Sequence, residues 1–143
     1  LNVKAYNHPL GDSRVQFFAQ KNVAYRYVRS FPECLEGNAV LLPISGSPLR
    51  RGLEEFFDRK GVVPKVVAEF DDSALLKAFG EAGAGFFPAP AAIADQVEHM
   101  YHAKSIGDVD GVTEHFYAIS PERKIKHPAV VRITEVAREQ LGG

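Results

Sequence analysis

The chain has 143 residues, of which 45% are hydrophobic and 24% are charged. This composition is typical of a globular protein rather than a disordered one, and the length accommodates one ordinary domain or two small lobes. Lys and Arg total 17 against 18 Asp and Glu, so the formal net charge is −1. A nearly neutral domain has no electrostatic attraction to a phosphate backbone, so any nucleic-acid contact must be made by another part of the protein.

The single cysteine, Cys34, excludes an internal disulfide, and a free thiol favours a reducing compartment, the cytoplasm. No apolar run approaches the roughly 18 residues that can span a bilayer, and the first residues lack the layout of a secretory signal. The chain does not begin with Met, and its first residues resemble a strand entered midway. We therefore expect it to be part of a longer protein.

Between residues 14 and 88, apolar runs of strand length alternate with helical patterns. The pattern predicts strand (14–19), helix (20–30, with Val23, Tyr27 and Val28 inward), strand (38–43), helix (45–61), strand (65–70), helix (71–83) and strand (85–88). Such alternation indicates right-handed βαβ connections and a mostly parallel sheet with helices on its faces.

The segment 45–61 is the clearest of these helices. Ser47 is at the N-cap position, Pro48 is at the first helical position and Gly61 follows the last turn. An apolar face is predicted to pack inward, and two i,i+4 ion pairs are predicted on the other face. The apolar face consists of Leu49, Leu53, Phe56 and Phe57; the ion pairs are Arg50–Glu54 and Glu55–Arg59.

The next helix is predicted to begin at one of three polar residues, Asp71, Asp72 or Ser73, which all suit an N-cap. Leu75, Leu76 and Phe79 are predicted to be its buried face, and Gly83 and Gly85 form the turn into the strand that Pro88 ends. After Pro88 the pattern predicts a helix (about 90–98), two strands (99–106 and 112–120) and a final helix with Val130, Ile133, Ala137 and Leu141 on one stripe.

Two loops carry the candidate binding residues. The sequence Ser45-Gly46-Ser47 precedes a helix whose N-terminal N–H groups and dipole favour an anion, although on this motif alone a simple N-cap is the better explanation of Ser47. Asp71 and Asp72, with Glu69 nearby, offer oxygen ligands to a hard cation, but acids in a first helical turn usually complement the dipole. Both loops follow strands, where ligands bind in open α/β sheets.

No catalytic or cofactor motif is present. His99 and His102 have no third partner at a persuasive spacing, which favours exposed histidines over a metal site. Cys34 lies beside a proline with no His or Asp in a nucleophile pattern, and there is no G-x-S-x-G, P-loop or G-x-G-x-x-G. We predict that the protein is not an enzyme and has neither a cofactor nor a metal site.

Four segments together resemble the effector-binding domain of LysR-type bacterial transcriptional regulators, and more narrowly the NhaR subgroup, activators linked to sodium/proton antiporter expression. They cover most of the chain: "VKAYNHPLG" (3–11), "LLPISGSPLRRGLEEFFD" (41–58), "AEFDDSALLKAFGEAGAGFFPAPAAI" (68–93) and "EHFYAISPERKIKHPAVVRITEVAR" (114–138).

The resemblance implies a periplasmic-binding-protein-like fold of two α/β lobes, here without the start of the first lobe. Residues 1–18 would belong to lobe I and the outward crossing, 19–87 to lobe II, and 88–143 to the return crossing and the rest of lobe I. The implied hinge residues are Phe17, Phe18, Phe87 and Pro88. The implied effector-binding residues are Ile44, Ser45, Gly46, Ser47, Phe70, Asp71, Asp72 and Ser73.

The resemblance also implies a function: a small ligand or ion binds between the lobes, and a separate helix-turn-helix contacts DNA. The expected protein is a cytoplasmic homo-oligomer with no membrane partner. The helix 72–83 is the expected pairing element, with Lys77, Ala78, Glu81 and Ala82 on its exposed side. Two other classes stay open on the sequence, a solute-binding protein of a transport system with the same fold and a protein–protein interaction domain. The effector also stays open, because the subgroup suggests sodium, lithium or pH whereas helix N-termini suit a small anion.

Overall fold

The computed structural model describes residues 4–142. They divide into two compact units: one comprises Arg14–Thr113, and the other comprises the residues before Arg14 together with those after Thr113. Two long strands pass through both units. In chain order the elements are β1 (Tyr6–Gln20), β2 (Ala39–Pro43), α1 (Pro48–Lys60), β3 (Lys65–Phe70), α2 (Ser73–Glu81), β4 (Phe87–Pro90), α3 (Ala94–Tyr101), β5 (Ala103–Ser120) and α4 (Pro128–Gly142).

Two sheets organise the chain. β2 and β3 pair in parallel, as the alternating pattern predicted, and Phe86 extends them through a parallel bridge to Val40. The other sheet has the strand order β4-β1-β5 and pairs β1 with β4 antiparallel. The α/β class is therefore as predicted, although β1, which was predicted to belong to the mostly parallel sheet, pairs antiparallel with β4 in the larger sheet.

The core of the larger unit has two layers, because alternate residues of β1 and β2 point to opposite faces. Phe17 of β1 packs in a cluster with Leu42 of β2, while the neighbouring Phe18 packs in another with Leu41. All four side chains are at most 1% exposed. A strand covered on both faces needs a continuous apolar run, and this accounts for the sequence "RVQFFA".

Helix α1 confirms the sequence prediction at both ends. The Ser47 hydroxyl accepts the Arg50 N–H at 3.2 Å, and Gly61 takes the left-handed conformation, φ 67°, that lets its N–H reach the last carbonyls. Leu53, Phe56 and Phe57 are buried as predicted. Arg50 forms the predicted ion pair with Glu54, but its side chain is buried, whereas the sequence placed it on the solvent side of the helix.

Helix α2 differs from the prediction in the face that it buries. Asp72 is its N-cap, and of the three predicted core residues only Leu76 is buried; Leu75 is 50% exposed and Phe79 is 45% exposed. The helix turns Gly80 inward instead, where an added Cβ would lie 2.1 Å from Cδ1 of Phe87. A glycine lets the helix approach the ring of Phe87, and that close approach sets which side faces the core.

Two further predictions within the larger unit are wrong. Residues 20–30 form two 3₁₀ turns, Ala24–Arg26 and Val28–Ser30, rather than an α-helix, and Val28 is exposed. β-Branched and aromatic residues lose side-chain freedom in a helix, so this segment gains little from becoming one. The two strands predicted after α3 are one strand, β5, which begins after His102, a residue in the left-handed conformation.

In the smaller unit, two side-chain hydrogen bonds join residues that are far apart in the sequence. Arg138 of α4 donates from Nε to the Pro9 carbonyl at 3.0 Å, and His115 lies 2.6 Å from Asp12. The stripe predicted on α4 is partly wrong, because Val130 and Ile133 are exposed. None of the helices in the described part of the chain has the length and apolar character needed to cross a membrane.

Candidate functional site

The loop between β2 and α1 is exposed and is held in shape by its own hydrogen bonds. The Ser47 hydroxyl donates to the Ile44 carbonyl at 3.1 Å while it caps the helix, and Arg51 Nη1 donates to the Gly46 carbonyl at 3.1 Å. Gly46 has a φ of 88° and open space where a Cβ would be. Its backbone is therefore accessible to a ligand. The side chain of Ile44, two residues earlier, is 46% exposed.

Two charged residues outside the predicted set define the electrostatics of this loop. The Ser45 N–H donates to Glu69 Oε2 at 3.3 Å, and the same carboxylate oxygen is 3.3 Å from Arg50 Nη1. Arg50 also donates to the Pro43 carbonyl at 2.9 Å and to Glu54 at 2.7 Å. A buried guanidinium requires such pairing, because an unpaired charge in the interior is costly.

Sequence reasoning placed Arg50 on the solvent side of α1 and considered Glu69 only as a cation ligand. The available signal was the position of Glu69, next to the last residue of a strand parallel to β2. The carboxyl ends of parallel strands share one edge, so a Glu there lies near the loop that follows β2.

The second predicted segment follows β3. Oδ1 of Asp72 accepts the N–H groups of Ala74 and Leu75, at 2.8 and 3.2 Å, so this carboxylate occupies donors that an anion would need. Asp71 and Ser73 are exposed, whereas the Phe70 side chain is 9% exposed and belongs to the core. Only the backbone of Phe70 reaches the edge of the sheet.

The structure brings the two predicted segments together. The Ile44 N–H donates to the Phe70 carbonyl at 2.9 Å, which joins the loop after β2 to the turn after β3. Both lie at the carboxyl edge of the parallel sheet. The edge combines an open helix N-terminus, which suits a hydrogen-bond acceptor, with the carboxylates of Glu69 and Asp71, which suit a donor or a cation.

The four predicted hinge residues also come together. Phe17 pairs with Pro88 and Phe18 with Phe87 in the antiparallel register of β1 and β4. The rings of Phe18 and Phe87 stack with their centroids 5.7 Å apart, and all four residues are buried.

The remaining candidates are Cys34, His99 and His102. Burial raises the pKa of the Cys34 thiol, although a hydrogen bond to Ser30 lowers it, and a thiol that stays protonated is a poor nucleophile. His99 is exposed, and His102 is exposed and pairs with Glu81 at 2.5 Å. Among the described residues there is no group of three His, Cys, Asp or Glu side chains that could hold a metal ion.

Comparison with known proteins shows the family of the chain. Residues 5–142 match the family described as the LysR substrate binding domain. The transcriptional activator protein NhaR of Escherichia coli (strain K12) is 41% identical over 105 residues, which is 73% of this chain and 35% of the NhaR sequence. NhaR of Shigella flexneri matches to the same extent. The chain thus corresponds to about a third of the length of these relatives.

Solved structures with the same fold include two effector-binding domains. The effector domain of the regulator AmpR of Pseudomonas aeruginosa superposes with a TM-score of 0.65 at 17% identity, covering 96% of this chain and 65% of that one. The effector-binding domain of QuiR in complex with shikimate gives a TM-score of 0.58 at 13% identity, with 96% and 66% covered. The predicted periplasmic-binding-protein-like fold is confirmed. The family decides against a solute-binding protein of a transport system, and the chain belongs to the LysR substrate-binding domains, the effector-binding part of LysR-type transcriptional regulators.

Proposed function

We propose that this chain senses a small polar ligand for a longer, NhaR-like regulator that acts in the cytoplasm. The ligand binds at the edge formed by Ile44–Ser47 and Asp71–Ser73, and DNA is bound by a part of the protein outside this chain. Three properties support the proposal: membership of the LysR family, the identity to NhaR, and a net charge of −1, which gives these residues no attraction to DNA.

The observation that carries the binding site is the hydrogen bond from the Ile44 N–H to the Phe70 carbonyl, because it makes one edge from two loops. Glu69 already accepts the Ser45 N–H, so an anion at this loop must compete with a carboxylate of the chain itself. A ligand that carries both an acceptor and a cationic or donor group satisfies both halves of the edge.

The experiment is a comparison of three ligand types by thermal shift and by amide NMR: sodium or lithium ions, shikimate as a small carboxylate, and an amino acid as a zwitterion. We expect the zwitterion to shift the amides of Ser45 and Gly46 most strongly. Ile44→Ala should weaken this binding by about three- to tenfold through lost apolar contact.

Val63→Ala is the matched control, because Val63 is 72% exposed and precedes β3 at the opposite edge of the sheet. This variant should bind the zwitterion like the wild type. If I44A and V63A bind equally well, or if no ligand type perturbs residues 44–47, the site is wrong.

We further propose that ligand binding is relayed through the buried pairs of β1 and β4, with 1–18 and 88–143 contributing to one lobe and 19–87 forming the other. The pairing of Phe17 with Pro88 and of Phe18 with Phe87 supports this hinge, because side chains locked on both strands make the strands move together. No catalytic role is proposed, since burial raises the pKa of the Cys34 thiol and the negative charge of Glu33 beside it raises that pKa further.

Finally, we propose that the protein is a homo-oligomer that pairs through α2. Leu75, Ala78, Phe79 and Ala82 are all exposed, and their i, i+3, i+4, i+7 spacing makes one apolar stripe along the helix. Lys77, which the sequence placed on the exposed side, is instead buried, with Nζ 3.3 Å from the Ser73 carbonyl. The stripe is therefore more apolar than the sequence predicted, and an exposed apolar stripe is characteristic of an interface.

Leu75→Lys tests the pairing, because a charge introduced into an apolar interface is strongly unfavourable. We expect its association to be weakened by about tenfold or more in sedimentation equilibrium. Met100→Lys introduces the same charge at a residue that is 64% exposed on α3 and should leave association unchanged. A wild-type chain that is monomeric throughout the micromolar range contradicts the proposal.

A further inference from the structure

The larger unit contains a cavity at the edge of the sheet opposite the candidate effector site. Its volume is about 280 Å³. Ala39, the first residue of β2, lines the cavity. The candidate effector loop begins at Ile44, directly after the last residue of β2 and five residues after Ala39. At about 3.3 Å per residue the two sites are roughly 16 Å apart, so one small ligand cannot reach both.

The wall of the cavity is backbone rather than side chain. Gly83 has a φ of 85°, and a Cβ on Gly85 would lie 2.9 Å from the Ala39 carbonyl oxygen, so neither position accepts a side chain without strain. The Phe86 N–H donates to that same carbonyl at 3.0 Å, which fixes the glycine turn against β2. The cavity is therefore preformed, as ligand sites usually are.

The floor of the cavity is apolar and aromatic. Ala19 is 1% exposed and Phe86 is 7% exposed. The rings of Tyr27 and Phe86 pack edge to face, with their centroids 4.8 Å apart. Val23, which is half-buried, completes this side. Aromatic rings in this arrangement pack well against a flat ligand.

Two carboxamides supply the polar groups. Gln20 donates from Nε2 to the Glu81 carbonyl at 3.3 Å, and Asn38 donates from Nδ2 to the Cys34 carbonyl at 2.5 Å. Because each amide nitrogen faces a carbonyl, each amide oxygen faces away from it; Oε1 of Gln20 lies 3.5 Å from the Cβ position of Gly83. The lining of the cavity includes Gln20 and Asn38, whose amide oxygens can act as acceptors, and it includes no charged side chain.

We propose that this cavity is a second ligand site, which takes a small uncharged aromatic molecule bearing hydroxyl or amide N–H donors. The ring packs on Phe86 and Tyr27, and the donors bond to Gln20 and Asn38. An ionic ligand is excluded because nothing in the lining compensates its charge. The walls include the end of β1 and the turn into β4, so a bound ligand stiffens both strands. This proposal is independent of the effector site proposed above.

The test is a charge series of nearly equal shape, benzamide, benzoate and benzylamine, titrated into the 143-residue chain. Benzamide should shift the backbone amides of Gly83 and Gly85 and the side-chain amides of Gln20 and Asn38 at about 10 mM, the affinity expected for a molecule of this size. Benzoate and benzylamine should not. Equal shifts from all three compounds, or none from benzamide, would overturn the proposal.

Two variants locate the binding. Ala84→Trp fills the mouth of the cavity from an exposed position and should abolish the benzamide shifts, whereas Ala129→Trp, exposed in α4, should retain them. Gln20→Met removes one acceptor at similar volume and should weaken benzamide about fivefold. Benzamide shifts that persist in A84W place the binding elsewhere and refute the site, whatever the result at residues 44–47.

Discussion

The helices α1 and α2 both follow a strand of the parallel sheet and both begin at a side-chain cap, yet they are used differently. α1 buries Phe56 and Phe57 in the core and leaves the loop before it open. α2 leaves Leu75 and Phe79 exposed and satisfies its own N-terminus with the carboxylate of Asp72. From this contrast we propose a ligand at the N-terminus of α1 and a protein partner on the outer face of α2.

The largest expected effect is in the cores of the two helices. Phe56→Ala should lower the free energy of unfolding by about 3–5 kcal/mol, because it leaves a cavity at a residue that is 0% exposed. Phe79→Ala is the matched change in α2 and should cost less than about 1.5 kcal/mol, since nearly half of the side chain is already in water. Urea denaturation monitored by circular dichroism measures both, and equal losses would mean that Phe79 is as well packed as Phe56.

Glycine-to-alanine changes in the two helices should have intermediate effects on stability. Gly80→Ala in α2 should destabilise by about 1–3 kcal/mol, because the new methyl meets the buried Phe87 ring. In Gly52→Ala of α1 the Cβ lies 3.1 Å from a methyl of Val112, and the helix gains about 1 kcal/mol of propensity. The second variant should be close to neutral in thermal denaturation. A stabilised G80A would show that α2 can move away from β4.

The smallest effects are at the caps. Ser47→Ala and Asp72→Ala should each cost about 1 kcal/mol, because each removes an acceptor from helix N–H groups. They should differ in salt dependence, since Asp72 adds a charge that interacts with the helix dipole and is screened by ions. The cost of D72A is expected to fall between 0.05 and about 1 M NaCl, while the cost of S47A stays constant. Parallel salt curves would contradict the charged cap.

Much of the site could be predicted from the sequence, because its features are local. Ser47 as the N-cap, Pro48 at the first turn and Gly61 as the C-cap follow from short-range backbone chemistry. The adjacency of Ile44 and Phe70 follows from one topological rule, that parallel strands end at the same edge. The family resemblance rested on the same segments, and it was confirmed.

The prediction of the face that α2 buries was wrong for a physical reason. The sequence offers two apolar stripes, one with Leu76 and Gly80 and the other with Leu75 and Phe79, and hydrophobicity favours the larger side chains. Packing reverses the choice, because a glycine lets the helix approach the ring of Phe87, which is 0% exposed. No property of the helix alone carries that information.

The sequence by itself determined the α/β class, the caps of α1, the strands of the parallel sheet and the family, all of which depend on residues close together in the chain or on a recurring pattern. Only the tertiary structure decided that Arg50 is buried between Glu54, Glu69 and the Pro43 carbonyl, and that Gln20 and Asn38 line one cavity with the glycine turn. Glu69 is far from Arg50 in the sequence, and Gln20, Asn38 and the glycine turn are far from one another. They meet because the sheet brings its strand ends together, and the burial that results fixes which charges and amides pair.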